Sequence, residues 1–124
     1  DNRHAAFCED AFKYLDDNEG KYDLIILDPP AFAKHRKALK NGLRGYTRLN
    51  VKGFEKIRSG GILFTFSCSQ VVTKDNFRQA VFTAAAQAGR KVRILHQLHQ
   101  PADHPINIYH PEGEYLKGLV LYVE

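Results

Sequence analysis

Tyr22-Asp23-Leu24-Ile25-Ile26-Leu27-Asp28-Pro29-Pro30-Ala31-Phe32 is the stretch on which the fold turns. The run Tyr22–Leu27 is short for a helix and rich in Leu and Ile, so it reads as a strand buried on both faces. Pro29 and Pro30 fix φ and remove two consecutive backbone donors, which ends the strand and leaves a stiff loop. Asp28 therefore stands at the carboxyl end of a strand, where open α/β sheets place their ligands. A solvated acid at a plain strand-to-loop break is the competing reading.

The 124 residues, 44% hydrophobic and 26% charged, suit one small soluble domain. No apolar run approaches the roughly 18 residues of a membrane span, and Asp1-Asn2-Arg3-His4 is no signal peptide. Cys8 and Cys68 have neither metal-ligand spacing nor the number of a disulfide framework, so reduced thiols in a cytoplasm are the simpler account. No metal site is expected. Charge is polarised: Lys34 to Arg58 holds nine basic residues and one acid, a net of +8, while the remainder carries −4. That pattern suggests a polyanionic partner, with an ordinary solvated face as the alternative.

Along the chain, Asp10 to Asp17 reads as a short helix closed by a turn over Asp16–Gly20. A basic loop, Ala33 to Asn41, follows the Asp-Pro-Pro element. Leu43 to Arg58 has helical apolar spacing, with Ser59-Gly60-Gly61 as its stop. Ile62–Phe66 reads as a second buried strand running into Ser67-Cys68-Ser69. Thr73 is a candidate N-cap for a helix to Ala88, closed by Gly89. Val92–Leu98 and Gly118–Val123 are the last strands, joined by a long connection from Gln100 to Tyr115. Strand, helix, strand, helix, strand, strand predicts an α/β sheet that is mostly parallel and ends in an antiparallel strand. Lys40, Arg44, Arg48, Lys52 and Lys56 recur every four residues, a basic ridge suited to a phosphate backbone.

Cys68 falls at the carboxyl end of the second strand, the same edge as Asp28. The helix that begins a few residues later favours a thiolate through its N-terminal dipole. The hydroxyls of Ser67 and Ser69 flank it. A lone cysteine there is more commonly a small buried hydrophobe, and Cys8, with no such setting, reads as packing.

Leu27-Asp28-Pro29-Pro30-Ala31-Phe32, then Gly60 to Ser69, then Ala102-Asp103-His104-Pro105, then Pro111 to Gly118 occur in that order. Together they resemble the C-terminal half of the RlmI-like bacterial 23S rRNA cytosine-5 methyltransferases. The resemblance covers essentially the whole chain and implies a class I (Rossmann-like) fold and S-adenosylmethionine as cofactor. By position it makes Cys68 the nucleophile and Asp28 the residue that holds the base edge. It gives Asp10 and Ala11 to the adenine end of the cofactor, and Asp28 and Pro29 to the methyl donor's side. Pro30, Phe32 and His104 at this edge are expected substrate contacts, Phe32 by stacking on an extruded base; Ser67 and Ser69 beside Cys68, and Lys34, Arg44 and Arg48 of the basic segment, are expected to join them. Related RNA cytosine methyltransferases carry a second cysteine after the proline; Pro30-Ala31-Phe32 departs from this. The base that removes the C5 proton is thus unassigned, with His104 a candidate.

The Gly-rich cofactor loop expected after a first strand does not occur upstream of Asp10. The chain therefore reads as a single partial catalytic domain, without the N-terminal strands or a PUA-type RNA-binding domain, and as inactive alone. Its exposed sheet edge predicts self-association. A base-amino methyltransferase using the Asp-Pro-Pro loop, and a non-catalytic RNA-binding module using the basic ridge, are the alternatives.

Overall fold

A computed structural model describes residues 2–18 and 22–124. The turn read over Asp16–Gly20 falls partly outside the described residues, at Glu19 and Gly20. In chain order the elements are helix α1 (Ala11–Asp17), strand β1 (Tyr22–Leu27), a 3-10 turn (Arg36–Ala38), helix α2 (Leu39–Lys56), strand β2 (Ile57–Ser67), helix α3 (Lys74–Ala88), strand β3 (Val92–Leu98), a second 3-10 turn (Pro111–Gly113) and strand β4 (Lys117–Val123). The sheet order is β1-β2-β4-β3. β1 and β2 pair in parallel, whereas β4 lies antiparallel between β2 and β3. Three strands thus point one way, as the sequence pattern predicts. Inserting β4 among them leaves only one of the three ladders parallel.

Local chemistry sets the helix ends. The Asp10 carboxylate accepts from the backbone N–H of Lys13 at 3.1 Å and caps α1. Thr73 and Asn76 form a reciprocal capping box on α3, and Gly89, at φ 66°, closes it in the left-handed region. The end of α2 differs from the sequence reading. Ser59-Gly60-Gly61 does not stop the helix but lies inside β2, and the chain passes from helix to strand at Ile57. Arg90 makes this possible. Its guanidinium donates to the carbonyls of Phe54 (2.6 Å) and Ile57 (2.9 Å), doing for these carbonyls what a glycine cap would otherwise do. The glycines serve the strand instead. Tyr22 pairs with Ile57 and Leu24 with Ile62, so two steps on β1 match five on β2. Gly60 absorbs the bulge at φ 85°. A Cβ on Gly61 would lie 2.5 Å from Ile57 Cγ1 and 3.0 Å from the Asp23 carbonyl.

Both crossovers, β1 to β2 and β2 to β3, step the same way across the sheet. Right-handed connections then put α2 and α3 on one face. The core lies between them and the sheet: Ile25, Leu27, Leu63, Leu119, Leu121 and Val123 from the strands meet Tyr46, Phe54 and Phe77 from the helices. Each such side chain, fully buried, contributes about 1.5–3 kcal/mol. The expectation that β1 is buried on both faces is corrected here. Ile25 and Leu27 are buried, but Leu24 and Ile26 are 54% and 60% exposed. No described helix covers their side of the sheet, and β1 forms its edge. None of the described helices is long and apolar enough to cross a membrane.

At Gly42, where α2 meets the loop after β1, an added Cβ would stand 2.5 Å from the Ala33 Cβ and 3.1 Å from its backbone nitrogen. Gly42→Ala should therefore lower the unfolding free energy by about 1–3 kcal/mol despite alanine's better helix propensity. Gly113→Ala, with nothing within 4 Å of its Cβ, should be close to neutral. Urea titrations of the two variants check the contrast, and equal midpoints would refute it.

Candidate active site

The parallel register carries Leu24↔Ile62 through Leu27↔Thr65, so the loop after Asp28 and the turn at Cys68 leave the sheet side by side. Asp28 is exposed and Cys68 half-buried. Beneath them lies a hydrogen-bonded knot. The hydroxyls of Tyr46, on α2, and Ser69 exchange a hydrogen bond of 2.7 Å. The backbone N–H of Phe32 donates to the Tyr46 hydroxyl (3.3 Å), and that of Ala33 donates to Ser69 Oγ (3.3 Å). Ser69 N–H in turn donates to Ser67 Oγ at 3.3 Å. From β4, the Lys117 ammonium donates to the Ser69 carbonyl at 2.6 Å. One helix and two strands are thereby tied to both loops of the edge.

Lys117 is only 7% exposed. Burial disfavours its charge and pulls its pKa down to about 8, against the opposing pull of the negative groups at Cys68 and Glu114. Lys117, Tyr46 and Gln100 were not singled out as site residues from the sequence, since each becomes meaningful only through distant partners. Gln100, also buried, staples the base of the long connection. Its Oε1 accepts from the backbone of Tyr115 (2.9 Å) and Leu116 (3.3 Å), and its Nε2 donates to the His104 carbonyl (3.0 Å). Lys117 stands opposite Ser67 in the β2–β4 ladder, a register that the sequence does not show.

Several predicted contacts are placed differently. Ser67 and Ser69 are 0% and 1% exposed and point into the knot, so they support the edge rather than face a substrate. The Phe32 ring packs over Gly45 and against Tyr46, with centroids 4.7 Å apart, instead of standing open for a base to stack on. The Arg48 guanidinium sits over the Phe12 ring at 4.9 Å, and Lys52 pairs with Asp16 at 2.7 Å, so α1 occupies two members of the basic ridge. Arg44 remains exposed and, with Lys40, lines a groove of about 680 Å³ between α2 and α3. Lys34 and Pro30 are exposed and Pro29 half-buried at the Asp28 corner. The His104 interactions are local: its ring lies 3.5 Å from Asp103, and its backbone N–H donates to Pro101. Cys8 is exposed, not packed as expected.

Asp10 and Ala11 lie exposed at the start of α1, and one Asp10 oxygen is engaged by the helix cap. Beside them an apolar hollow of about 390 Å³ is bounded by Phe7, Ala11, Tyr14, Leu24 and Ile26. A carboxylate acceptor next to an apolar hollow fits a flat, amino-bearing ring in kind. Among the described residues no cluster of His, Cys, Asp or Glu suits a metal ion.

No protein-family profile matches the chain. Curated relatives match nearly all of it. A ribosomal RNA large subunit methyltransferase I from Alteromonas mediterranea is 42% identical over 99% of this chain, and one from Shewanella denitrificans is 44% identical over the same share. An Escherichia coli protein of that name is 42% identical over 93%. Over nearly its whole length the chain is similar to that family. It spans about a third of these relatives' length: 32% of the first two and 30% of the third. Among solved structures, a protein described as an SAM-dependent methyltransferase from Streptococcus mutans superposes with a TM-score of 0.70 at 23% identity, over 90% of this chain and 28% of that one. NSun6 from Pyrococcus horikoshii, solved with SFG, gives 0.59 at 18%, over 93% and 32%. These likenesses establish the methyltransferase fold for the four strands and their helices.

Two outcomes follow from the knot. Tyr46→Phe and Ser69→Ala should each cost about 1–3 kcal/mol by leaving a buried partner unsatisfied. Because they share one bond, the double variant should lose less than the sum; strict additivity in chemical denaturation would show that the two hydroxyls are not coupled. Lys117 titrates near 8 in the folded state against 10.5 for an ordinary lysine. Between those values the unfolded state holds the extra proton, so this group makes stability rise with pH. Lys117→Met should remove that rise, and parallel stability curves from pH 8 to 10.5 for the two proteins would contradict it.

Proposed function

We propose that a full-length protein carrying this segment is an S-adenosylmethionine-dependent RNA methyltransferase that forms 5-methylcytosine in large-subunit ribosomal RNA. The observation that carries this reading is the side-by-side emergence of Asp28 and Cys68 from neighbouring parallel strands, bound together through Ser69 and Tyr46. Cytosine C5 is a weak nucleophile. Addition of the Cys68 thiolate to C6 pushes electron density onto C5 and overcomes this. Asp28 holds the base edge and stabilises protonation at N3 as that density develops. The cofactor supplies an electrophilic methyl group, with Asp10 and Ala11 suited to its adenine end and Asp28 and Pro29 to the methyl donor's side. Loss of the C5 proton then lets the thiolate leave.

Lys34, exposed in the loop after Asp28, and Arg44, exposed on the groove between α2 and α3, suit the flanking RNA phosphates. An rRNA substrate places the reaction in the cytoplasm. The β1 edge, with Leu24 and Ile26 exposed, suits pairing with a further strand, including one from a second copy.

In a full-length protein that carries this segment, Cys68→Ala should abolish both methyl transfer and covalent trapping on RNA containing 5-fluorocytidine. Asp28→Asn should slow transfer about 10²-fold or more. Retained transfer without the thiol would defeat the cysteine mechanism and favour methylation of a base amino group through the Asp28 loop.

A further inference from the structure

We propose that Lys117 is a positioning residue for Cys68: its ammonium, carried beside the strand end by β4, holds the Ser67–Ser69 turn and supplies the positive charge toward which the thiol ionises. The geometry starts from the ladder. Lys117 stands opposite Ser67 in the β2–β4 pairing, yet its Nζ bonds the Ser69 carbonyl at 2.6 Å. The side chain therefore runs alongside the backbone that carries Cys68, from the residue before it to the residue after it. Lysine is seldom buried to this extent without a reason. Stabilising the turn alone needs no charge, since a neutral donor would serve the carbonyl as well. A cation in a water-poor setting is worth most where an anion must form nearby, and Cys68 lies between the two residues, Ser67 and Ser69, that Lys117 spans.

The other charged and titratable groups around Lys117 do not replace this role. Glu114 lies just before β4 and shares its charge with Lys74 of α3 at 3.5 Å. Arg78 of α3 and His99, beyond β3, line with Lys117 a small hollow of about 50 Å³. The pairing deepens the reading of Cys68 as a nucleophile and rests on it for its purpose but not for its test. Thiol alkylation needs neither RNA nor methyl donor, whereas the RNA trap reads the adduct itself.

The test uses the chain with Cys8→Ser, so that Cys68 is the single thiol, and measures its alkylation rate with iodoacetamide from pH 5.5 to 10. Lys117→Met should move the rate profile toward higher pH and lower the rate at pH 7 by about three- to tenfold, because the alkylating species is the thiolate. Lys117→Arg should keep most of the original profile. An unchanged profile in Lys117→Met, with folding verified by circular dichroism, overturns the proposal. If that variant fails to fold, the reciprocal measurement decides. Cys68→Ala should shift the titration of the Lys117 ε-methylene, followed by NMR, toward lower pH, because coupling between two sites acts equally on both. An unmoved Lys117 titration overturns the proposal as surely.

Discussion

The bond between the hydroxyls of Tyr46 and Ser69 is the constraint that the candidate site depends on. Both residues are essentially inaccessible, at 0% and 1% exposure, so neither hydroxyl can fall back on water. Each also accepts from the backbone of the loop after β1. A loop stiffened by two prolines would otherwise be rigid in itself yet free to swing as a body. With Phe32 and Ala33 hydrogen-bonded to this pair, its position is set relative to α2 and the end of β2. The small residues support the same closeness: Gly42 and Gly45 let α2 approach until Phe32 and Ala33 lie on it. Asp28 and Cys68, far apart in the chain, therefore share one rigid base.

That arrangement also separates support from presentation. Ser67, Ser69, Tyr46 and Lys117 face inward and hold the edge, while Asp28 and Lys34 face solvent and Cys68 lies between. Preorganised sites are built in this way because reacting groups must keep their positions while charge develops. The basic segment divides similarly. Arg48 and Lys52 hold α1 onto α2, while Lys40 and Arg44, together with Arg48, line the open groove. An apparently uniform ridge thus does two jobs, one of packing and one suited to a polyanion.

Much of the fold was legible because local signals and the final structure agree. The capped helix from Thr73 to Gly89 is one case, and the proline-terminated β1 is another. Where they disagree, a distant residue intervened. Ser59-Gly60-Gly61 carries the usual signature of a helix stop, but Arg90 already satisfies the carbonyls at the end of α2, and the glycines were needed for a bulge. Leu24 and Ile26 read as buried because their neighbours are apolar, but burial depends on a second layer that the described residues do not include. The serines beside Cys68 looked like substrate contacts since sequence shows their hydroxyls without showing their direction.

By itself the sequence determined the carboxyl ends of β1 and β2, the caps of α3, the polarised charge and the two chemically capable residues, Asp28 and Cys68, at strand termini. These depend on neighbours within a few positions, where proline, glycine and capping side chains act directly on the backbone. Only the tertiary structure decided what surrounds those two residues. The insertion of β4 between β2 and β3 brings Lys117 to the Cys68 turn, and the packing of α2 brings Tyr46 beneath the Asp28 loop. Both are contacts across long stretches of chain, set by sheet order and side-chain volume, and no local pattern encodes them.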